Sequence, residues 1–315
     1  MSPPLVSIIV PCYNAERWLA ATLESALAQT WPAKEIVVVN DGSTDGSLIV
    51  ARTFESRGVR VLDQANAGAS AARNAGWRAA HGDFLQFLDA DDLLAPDKIE
   101  RQLAVLRAAP GCVASCAWGR FSGDPAATAF VPCALWADFA PVDWLVHSWT
   151  TSEMMHPAAW LTPRPVAAAA GPWNEQVSLD DDGEFFSRVV LASRGVKFTA
   201  GTAAFYRTHD GARLSALSGR RAAQSSFLSS ELKERHLLAA EDSRRTRRAL
   251  AVRYAQFAWD QLGAAPDLAA RAIARWQRLA PDVPPPAAGP LTEALIDVVG
   301  WQAARRLQLL FRRQP

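Results

Sequence analysis

The chain has 315 residues, half of them hydrophobic, and a formal net charge of +1. That length suits one large α/β domain with an appendage, and no nucleic-acid partner is expected. The charge is unevenly divided: from Arg220 onward there are 16 Lys and Arg against 9 Asp and Glu, and before it 17 against 23. An acidic part therefore precedes a basic one. The four cysteines show neither Cys-x-x-Cys spacing nor a nearby histidine, which argues against a zinc site or a disulfide framework. No window approaches the ~20 apolar residues of a membrane span, and the first residues show no basic leader or signal-peptide core. A reducing, cytoplasmic setting is expected.

Residues 5–10 and 35–40 are short, β-branched and bounded by turn residues, the pattern of buried parallel strands. Between them, Trp18, Leu19, Leu23, Ala26 and Leu27 give residues 16–29 one apolar helical face. A helix over 47–56, a strand over 59–62, a helix over 69–80 and a strand over 84–88 continue the alternation, which predicts a doubly wound, mostly parallel sheet. Residues 112–208 are less regular, hold six of the twelve tryptophans and are expected to contain strands of mixed direction. Most of those tryptophans are expected in the core. From Arg220 the pattern is helical and arginine-rich, broken by Pro and Ala at 280–286. The predicted division is an α/β domain over 1–215, in two halves (1–110 and 111–215), followed by a basic helical extension over 216–315.

The most informative stretch is Phe84-Leu-Gln-Phe-Leu-Asp89-Ala-Asp91-Asp92, where an apolar strand delivers three carboxylates at its end. Such carboxylates repel one another unless a cation offsets the repulsion, and all-oxygen ligands suit Mg²⁺ or Mn²⁺. Helix capping by Asp92 is the plainer account, but one Asp would suffice for it. Val10-Pro11-Cys12-Tyr13-Asn14 closes the first strand; Pro11 removes a donor, so the chain is expected to leave the sheet there, with Tyr13 and Asn14 on the rim. Asn40-Asp41-Gly-Ser-Thr-Asp-Gly-Ser47 closes the second. Capping explains Ser43, Thr44 and Asp45, whereas Asp41 points at the same rim and suits the imide N–H of a uracil. Asn66-Ala67-Gly68-Ala-Ser-Ala-Ala-Arg73 enters an Ala-rich helix made for close packing, in which Arg73 suits a diphosphate. Neither Gly-x-Gly-x-x-Gly nor a P-loop lysine is present, which disfavours a nicotinamide dinucleotide or a P-loop NTPase. A second acidic run, Asp180-Asp181-Asp182-Gly-Glu-Phe-Phe-Ser-Arg188, suggests a general base separate from the cation site. Tyr206-Arg207-Thr208-His209 follows a further apolar strand.

Taken in order, these residues resemble a family-2 glycosyltransferase of GT-A fold. The resemblance runs from about Val6 to His209 and rests on Val-Pro-Cys-Tyr-Asn, Val-Asn-Asp-Gly-Ser-Thr-Asp, Ala-Arg-Asn-Ala-Gly, Leu-Asp-Ala-Asp-Asp and the acidic run before Phe-Phe-Ser-Arg. It implies a nucleoside-diphosphate-sugar donor held by Pro11, Tyr13, Asn14, Asp41, Asn66, Gly68, Arg73 and Asp89. It also implies a Mn²⁺ or Mg²⁺ ion on Asp91, Asp89 and His209, and inversion at the anomeric carbon. The family usually shows Glu-Asp six positions before the helix Arg, which makes Asp182 the base and puts Asp181 where Glu is usual. His156 and Trp160 are candidates for the glycan or glycolipid acceptor. The rival readings are a nucleotidyltransferase, disfavoured because Cys12–Glu16 replaces a Gly-rich basic loop, and a non-catalytic sugar-nucleotide-binding protein. Apolar positions and arginines in 291–313 (Leu295, Val298, Val299, Trp301, Leu307, Leu310 and Phe311 beside Arg305, Arg306, Arg312 and Arg313) suggest either packing on the catalytic domain or peripheral contact with an anionic membrane.

Overall fold

The structure is a computed structural model, and it describes residues 3–208, 219–286 and 290–311. His209, Arg312 and Arg313 lie outside the described residues. The first half alternates as the sequence predicts: β1 (Val6–Cys12), α1 (Glu16–Leu27), β2 (Lys34–Asp41), α2 (Ser47–Thr53), β3 (Val59–Gln64), α3 (Ala69–Ala79) and β4 (Phe84–Phe87). After these come β5 (Leu93–Leu94), α4 (Lys98–Ala108), β6 (Val113–Phe121), α5 (Pro141–Thr151), β7 (Thr162–Pro163), α6 (Arg164–Ala170), α7 (Asp181–Ala192) and β8 (Val196–Arg207). The main sheet has the order β3-β2-β1-β4-β7, parallel except for β7. A second sheet, β5-β8-β6, is mixed in direction as expected: β5 is antiparallel and β6 parallel to β8.

β1 is entirely buried because β2 and β4 flank it and helices cover it, so it carries no polar alternation. Contrary to the expectation at Pro11, the chain stays in the sheet to Cys12. The reason is directional. Ile9 turns its carbonyl towards β4, accepting from Leu88 N at 3.0 Å, and Pro11 faces the same side two residues on. Pairing with β4 ends at Ile9↔Phe87, so no partner needs the missing N–H, while β1 continues along β2 to Cys12↔Asn40.

The core joins the two halves through aromatic packing. Trp173 stacks on Phe185 with centroids 4.1 Å apart, and Phe87 meets both rings edge-on; such pairs add about 1 kcal/mol each beyond area burial. The C-terminal residues form α8 (Arg220–Ala240), α9 (Arg244–Gln261), α10 (Pro266–Leu279), α11 (Pro290–Val299) and α12 (Trp301–Phe311). α8 lies against α7, and α9 against α5. The apolar and arginine-bearing stretch that begins at 291 is divided. Gly300 takes φ 77° between two helices, Trp301 packs on Trp259 and Trp276, and Arg305 is buried with Nε donating to Trp259 O at 3.0 Å. Val298 is 81% exposed, against 43% for Val299 and 38% for Leu307. Among the described residues, no helix is long and apolar enough to cross a membrane.

Candidate functional site

Strand order reverses between β1 and β4, so the crevice beyond their C-terminal ends is where an open α/β sheet takes its ligand. Three loops shape its rim. Tyr13 is 53% exposed there. Asn14 adopts φ 51° and its Oδ1 accepts from Thr44 N at 2.8 Å, while its own N–H donates to Ser43 Oγ at 3.1 Å. Of the residues expected to cap α2, Ser43 and Thr44 instead fasten its approach to the β1–α1 loop, whereas Asp45 does both, accepting from Ser47 N at 3.0 Å and from Glu16 N at 3.1 Å.

Asp41 is buried at the end of β2, and Gln64 Nε2, Ala67 N and Gly68 N donate to its carboxylate at 2.7, 2.9 and 2.8 Å. Asn66 Nδ2 donates to its carbonyl at 2.9 Å. Gly42 permits this closeness: it has φ +68°, and a Cβ there would lie 2.7 Å from Asn66 N. Asp41 thus shapes the 64–68 segment, with three chain donors already on the carboxylate expected to meet a base.

The first acidic cluster follows β4. Asp92 is fully buried and does not cap a helix; the chain runs into β5, and α4 begins after Asp97. Arg207 N donates to Asp92 Oδ1 at 2.8 Å, and His156 Nε2 lies 3.0 Å from Oδ2, which has no aligned hydrogen-bond donor. Burial pushes the Asp92 carboxyl up to about 6, opposed by His156 and reinforced by Asp91 and Asp89. Burial favours the neutral His156 ring, but Asp92, Asp89 and Asp182 outweigh it and hold the imidazole above its ordinary value. Arg207 Nε also donates to Asp91 O at 2.7 Å.

The second cluster opens α7. Asp180, at φ 65°, precedes it, and Lys233 Nζ donates to its Oδ2 at 2.5 Å. Asp181 Oδ2 accepts from Arg73 Nη1 at 2.8 Å and Ser70 Oγ at 3.2 Å. Asp182 makes no ion pair among the described residues; its Oδ1 accepts from Gly183 N at 2.8 Å. Burial first, then Asp181 and Asp180, push the Asp182 carboxyl up to about 6. Among the described residues, the cluster has one acid held by α8, one held by α3 and one that makes no ion pair.

Arg73 joins the clusters. It is 4% exposed, lies over Trp173 at 4.5 Å and donates to both Asp181 and Asp89, the latter from Nη2 at 2.7 Å. Arg73 and His156 hold the Asp89 carboxyl below its ordinary value against the opposing effect of burial. Arg73, expected near the diphosphate of a donor, is in this structure a buried strut between the clusters. The expectation for Trp160 is corrected. This residue is 1% exposed and stacks on Phe186 at 5.2 Å, so its indole is core and out of reach of an acceptor. Trp144, Trp149 and Trp173 are buried as expected, and Trp118 and Trp136 are partly buried. His156, expected on the acceptor side, belongs to the first cluster, where donor atoms of Asp89, Asp92 and His156 lie within 4.8 Å of one another. Sequence reading did not find that pair, since 64 residues separate its members; a histidine before Pro157 was the available signal.

Residues 7–144 match the model of glycosyl transferase family 2. The family-2 glycosyltransferase match thus covers the β1-to-α5 part, a little under half of the chain. Over 97 residues, 30% of the chain, it is 46% identical to the uncharacterised glycosyltransferase YibD of Escherichia coli, 28% of which is covered. It is also 44% identical over 97 residues to glycosyltransferase GlyA of Streptococcus pneumoniae, covering 30% of this chain and 14% of that protein. The match thus spans less than half of these curated relatives. The whole fold is similar to the crystal structure of S. aureus TarS 1–349 in complex with UDP, with a TM-score of 0.68 at 15% identity, covering 98% of this chain and 93% of that one. The crystal structure of TarS 1–349 with UDP-GlcNAc gives 0.64 at 16% identity, covering 87% and 88%. The chain therefore has the GT-A fold, with the C-terminal helices included in the likeness.

Proposed function

We propose that the protein is an inverting glycosyltransferase that moves a sugar from a UDP-linked donor to an acceptor hydroxyl, in cytoplasmic synthesis of a bacterial cell-surface glycan or glycolipid. The observation that carries this reading is Asp182, an acid that makes no ion pair among the described residues, linked through its neighbour Asp181 and Arg73 to the strand-end carboxylate Asp89. UDP is favoured because TarS, similar in fold, is described with UDP and with UDP-GlcNAc.

The donor set suits a divalent cation. Two carboxylates, Asp89 and Asp92, converge with the His156 imidazole, Asp91 stands next to Asp92 in the same run, and Asp92 Oδ2 is buried without an aligned donor. Asp89 and Asp91 are the partly exposed members and would hold Mn²⁺ or Mg²⁺ from the open side, with Asp92 and His156 behind them; His209 is the further candidate. When bound, the ion supplies positive charge to offset a diphosphate leaving group. The chain's own residues do the rest. Tyr13, Asn14 and the Asp41-anchored loop of Asn66 and Gly68 border the nucleoside, with Pro11 at the strand end beneath. Arg73 fixes Asp89 and Asp181 relative to one another, and Asp182 takes the proton of the acceptor hydroxyl as it attacks from the face opposite the diphosphate. A single displacement with one base inverts the anomeric centre.

The test is a screen of the purified protein against nucleotide sugars for slow, metal-dependent hydrolysis, with UDP calorimetry in the presence and absence of chelator. UDP binding that needs Mn²⁺ or Mg²⁺, with hydrolysis of one UDP-sugar, is the expected result. Equal affinity with chelator and no turnover would remove the reading. The corner of Val298, Val299 and Leu307 beside Arg306 is the surface proposed to touch an anionic membrane. Liposome co-sedimentation that weakens with salt and with Val298→Asp supports that contact; salt-insensitive, unchanged partitioning refutes it.

A further inference from the structure

The acidic loop that ends in the proposed base is held from one side by a single polar stripe. Ser225, Ser229 and Lys233 are spaced four residues apart on α8, so they face the same way. Ser225 Oγ accepts from Ser178 N at 2.8 Å and Leu179 N at 2.9 Å. Ser229 Oγ donates to Asp180 Oδ2 at 2.8 Å, and Lys233 Nζ reaches the same oxygen at 2.5 Å. From α9, Arg253 Nη2 adds a contact at 3.5 Å. The three stripe residues thus grip three consecutive residues, Ser178, Leu179 and Asp180, immediately before Asp181 and Asp182.

The grip has features of a built contact. Lys233 is 3% exposed, so its ammonium has been taken out of water, and an acid opposite it offsets that cost. Asp180 is held in the left-handed region at φ 65°, where a non-glycine residue needs outside support. Gly183 lets the lysine pass over the helix start: a Cβ there would lie 2.1 Å from Asp180 Oδ1 and 2.6 Å from Lys233 Nζ. On the other side of the loop, Arg73 holds Asp181. Asp182 stands beyond two tethered neighbours.

We propose that Lys233, with Ser225 and Ser229, is the positioning device of the catalytic base, so that the C-terminal helices complete the active site rather than only covering the domain. The inference rests on the reading of Asp182 as the base. Lys233 is a positioning residue; it acts on the acceptor proton only through the loop it holds.

The test uses the full chain and separates chemistry from binding. Lys233→Met is expected to lower kcat for sugar transfer by about 10- to 100-fold, the scale of a misplaced catalytic group, while affinity for UDP with Mn²⁺ stays within about twofold. Should burial of an unpaired Asp180 keep that variant from folding, the double variant Asp180→Asn/Lys233→Met removes both charges and carries the same test. Its kcat is also expected to be low, because the tether is gone. Ser229→Ala, which keeps the ion pair, is expected to give a smaller loss in the same direction. Three results would overturn the proposal: full kcat in a folded Lys233→Met, recovery of wild-type kcat in the double variant, or a parallel fall of kcat and UDP affinity. Absence of transfer by the wild-type protein would instead remove the functional reading beneath it.

Discussion

The acidic runs Asp89-Ala90-Asp91-Asp92 and Asp180-Asp181-Asp182 look alike in sequence, but the fold meets their charges differently. In the first, Asp89 and Asp92 converge with His156 to make a donor set; burial and mutual repulsion leave Asp92 pushed up to about 6. A cation is the natural answer to such a group. In the second, protein cations take the first two acids one by one, Lys233 for Asp180 and Arg73 for Asp181, and Asp182 is left over. On the proposed reading, convergence serves a cation, whereas sequential neutralisation leaves one acid to accept a proton. Arg73 is shared, so the two clusters form one electrostatic unit.

The largest effect should come from removing the singled-out acid. Asp182→Asn is expected to lower transfer by at least ~10²-fold, as for loss of a general base, with UDP affinity nearly unchanged; Asp181→Asn should cost less in kcat. Because the Asp182 carboxyl is raised to about 6, wild-type kcat should fall as pH drops through that value and the base becomes protonated. A pH–rate profile and calorimetry of both variants check this. If Asp181→Asn were the more damaging, the contrast between tethered and untethered acids would be assigned backwards.

Next in size is the ligand set. Asp91→Ala is expected to weaken Mn²⁺-dependent UDP binding about 10- to 100-fold, the scale on which metal sites respond to loss of a supporting group. Asp92→Asn should weaken it less, because Asp92 is fully buried and already receives Arg207 N. Calorimetry at fixed UDP with varied Mn²⁺ compares them. A larger loss in Asp92→Asn would move the cation inward, onto Asp92 and His156 with Asp89.

Local patterns and long-range contacts differed in how far they could be read from sequence. β1 to β4 and α1 to α3 were legible to within a few residues, because buried parallel strands are β-branched and end in turn residues. Both acidic runs were legible too, since unexplained carboxylates are visible at their own positions. Pairings were not. Arg73 meets acids 16 and 108 residues away, and Lys233 meets one 53 residues away. No local periodicity encodes such distances, and small polar residues such as Ser225 and Ser229 read as ordinary helix surface. The second sheet was obscured by the irregularity between Cys116 and Ala117, and the last helical stretch by the break at Gly300.

A smaller effect follows from setting Lys233 beside Lys98, the other fully buried lysine. Lys233 faces an acid, whereas Lys98 Nζ donates only to neutral oxygens: Gln86 Oε1 at 2.5 Å, Gln102 Oε1 at 2.7 Å and Trp160 O at 3.4 Å. Burial therefore pushes Lys98 down to about 8 from 10.5. The sign follows from proton counts. Between those two values the unfolded chain holds more protons on this residue than the folded one, so its contribution to stability rises with pH. Lys98→Met lacks that contribution and leaves the two glutamine oxygens unpaired in the core. Urea midpoints at pH 7.5 and 9.5 should show the wild-type protein gaining on the variant by on the order of 2 kcal/mol, with kcat for transfer little changed at pH 7.5. An equal change in both proteins would mean that Lys98 stays charged throughout, and the distinction between an acid-paired and an amide-paired buried lysine would fail.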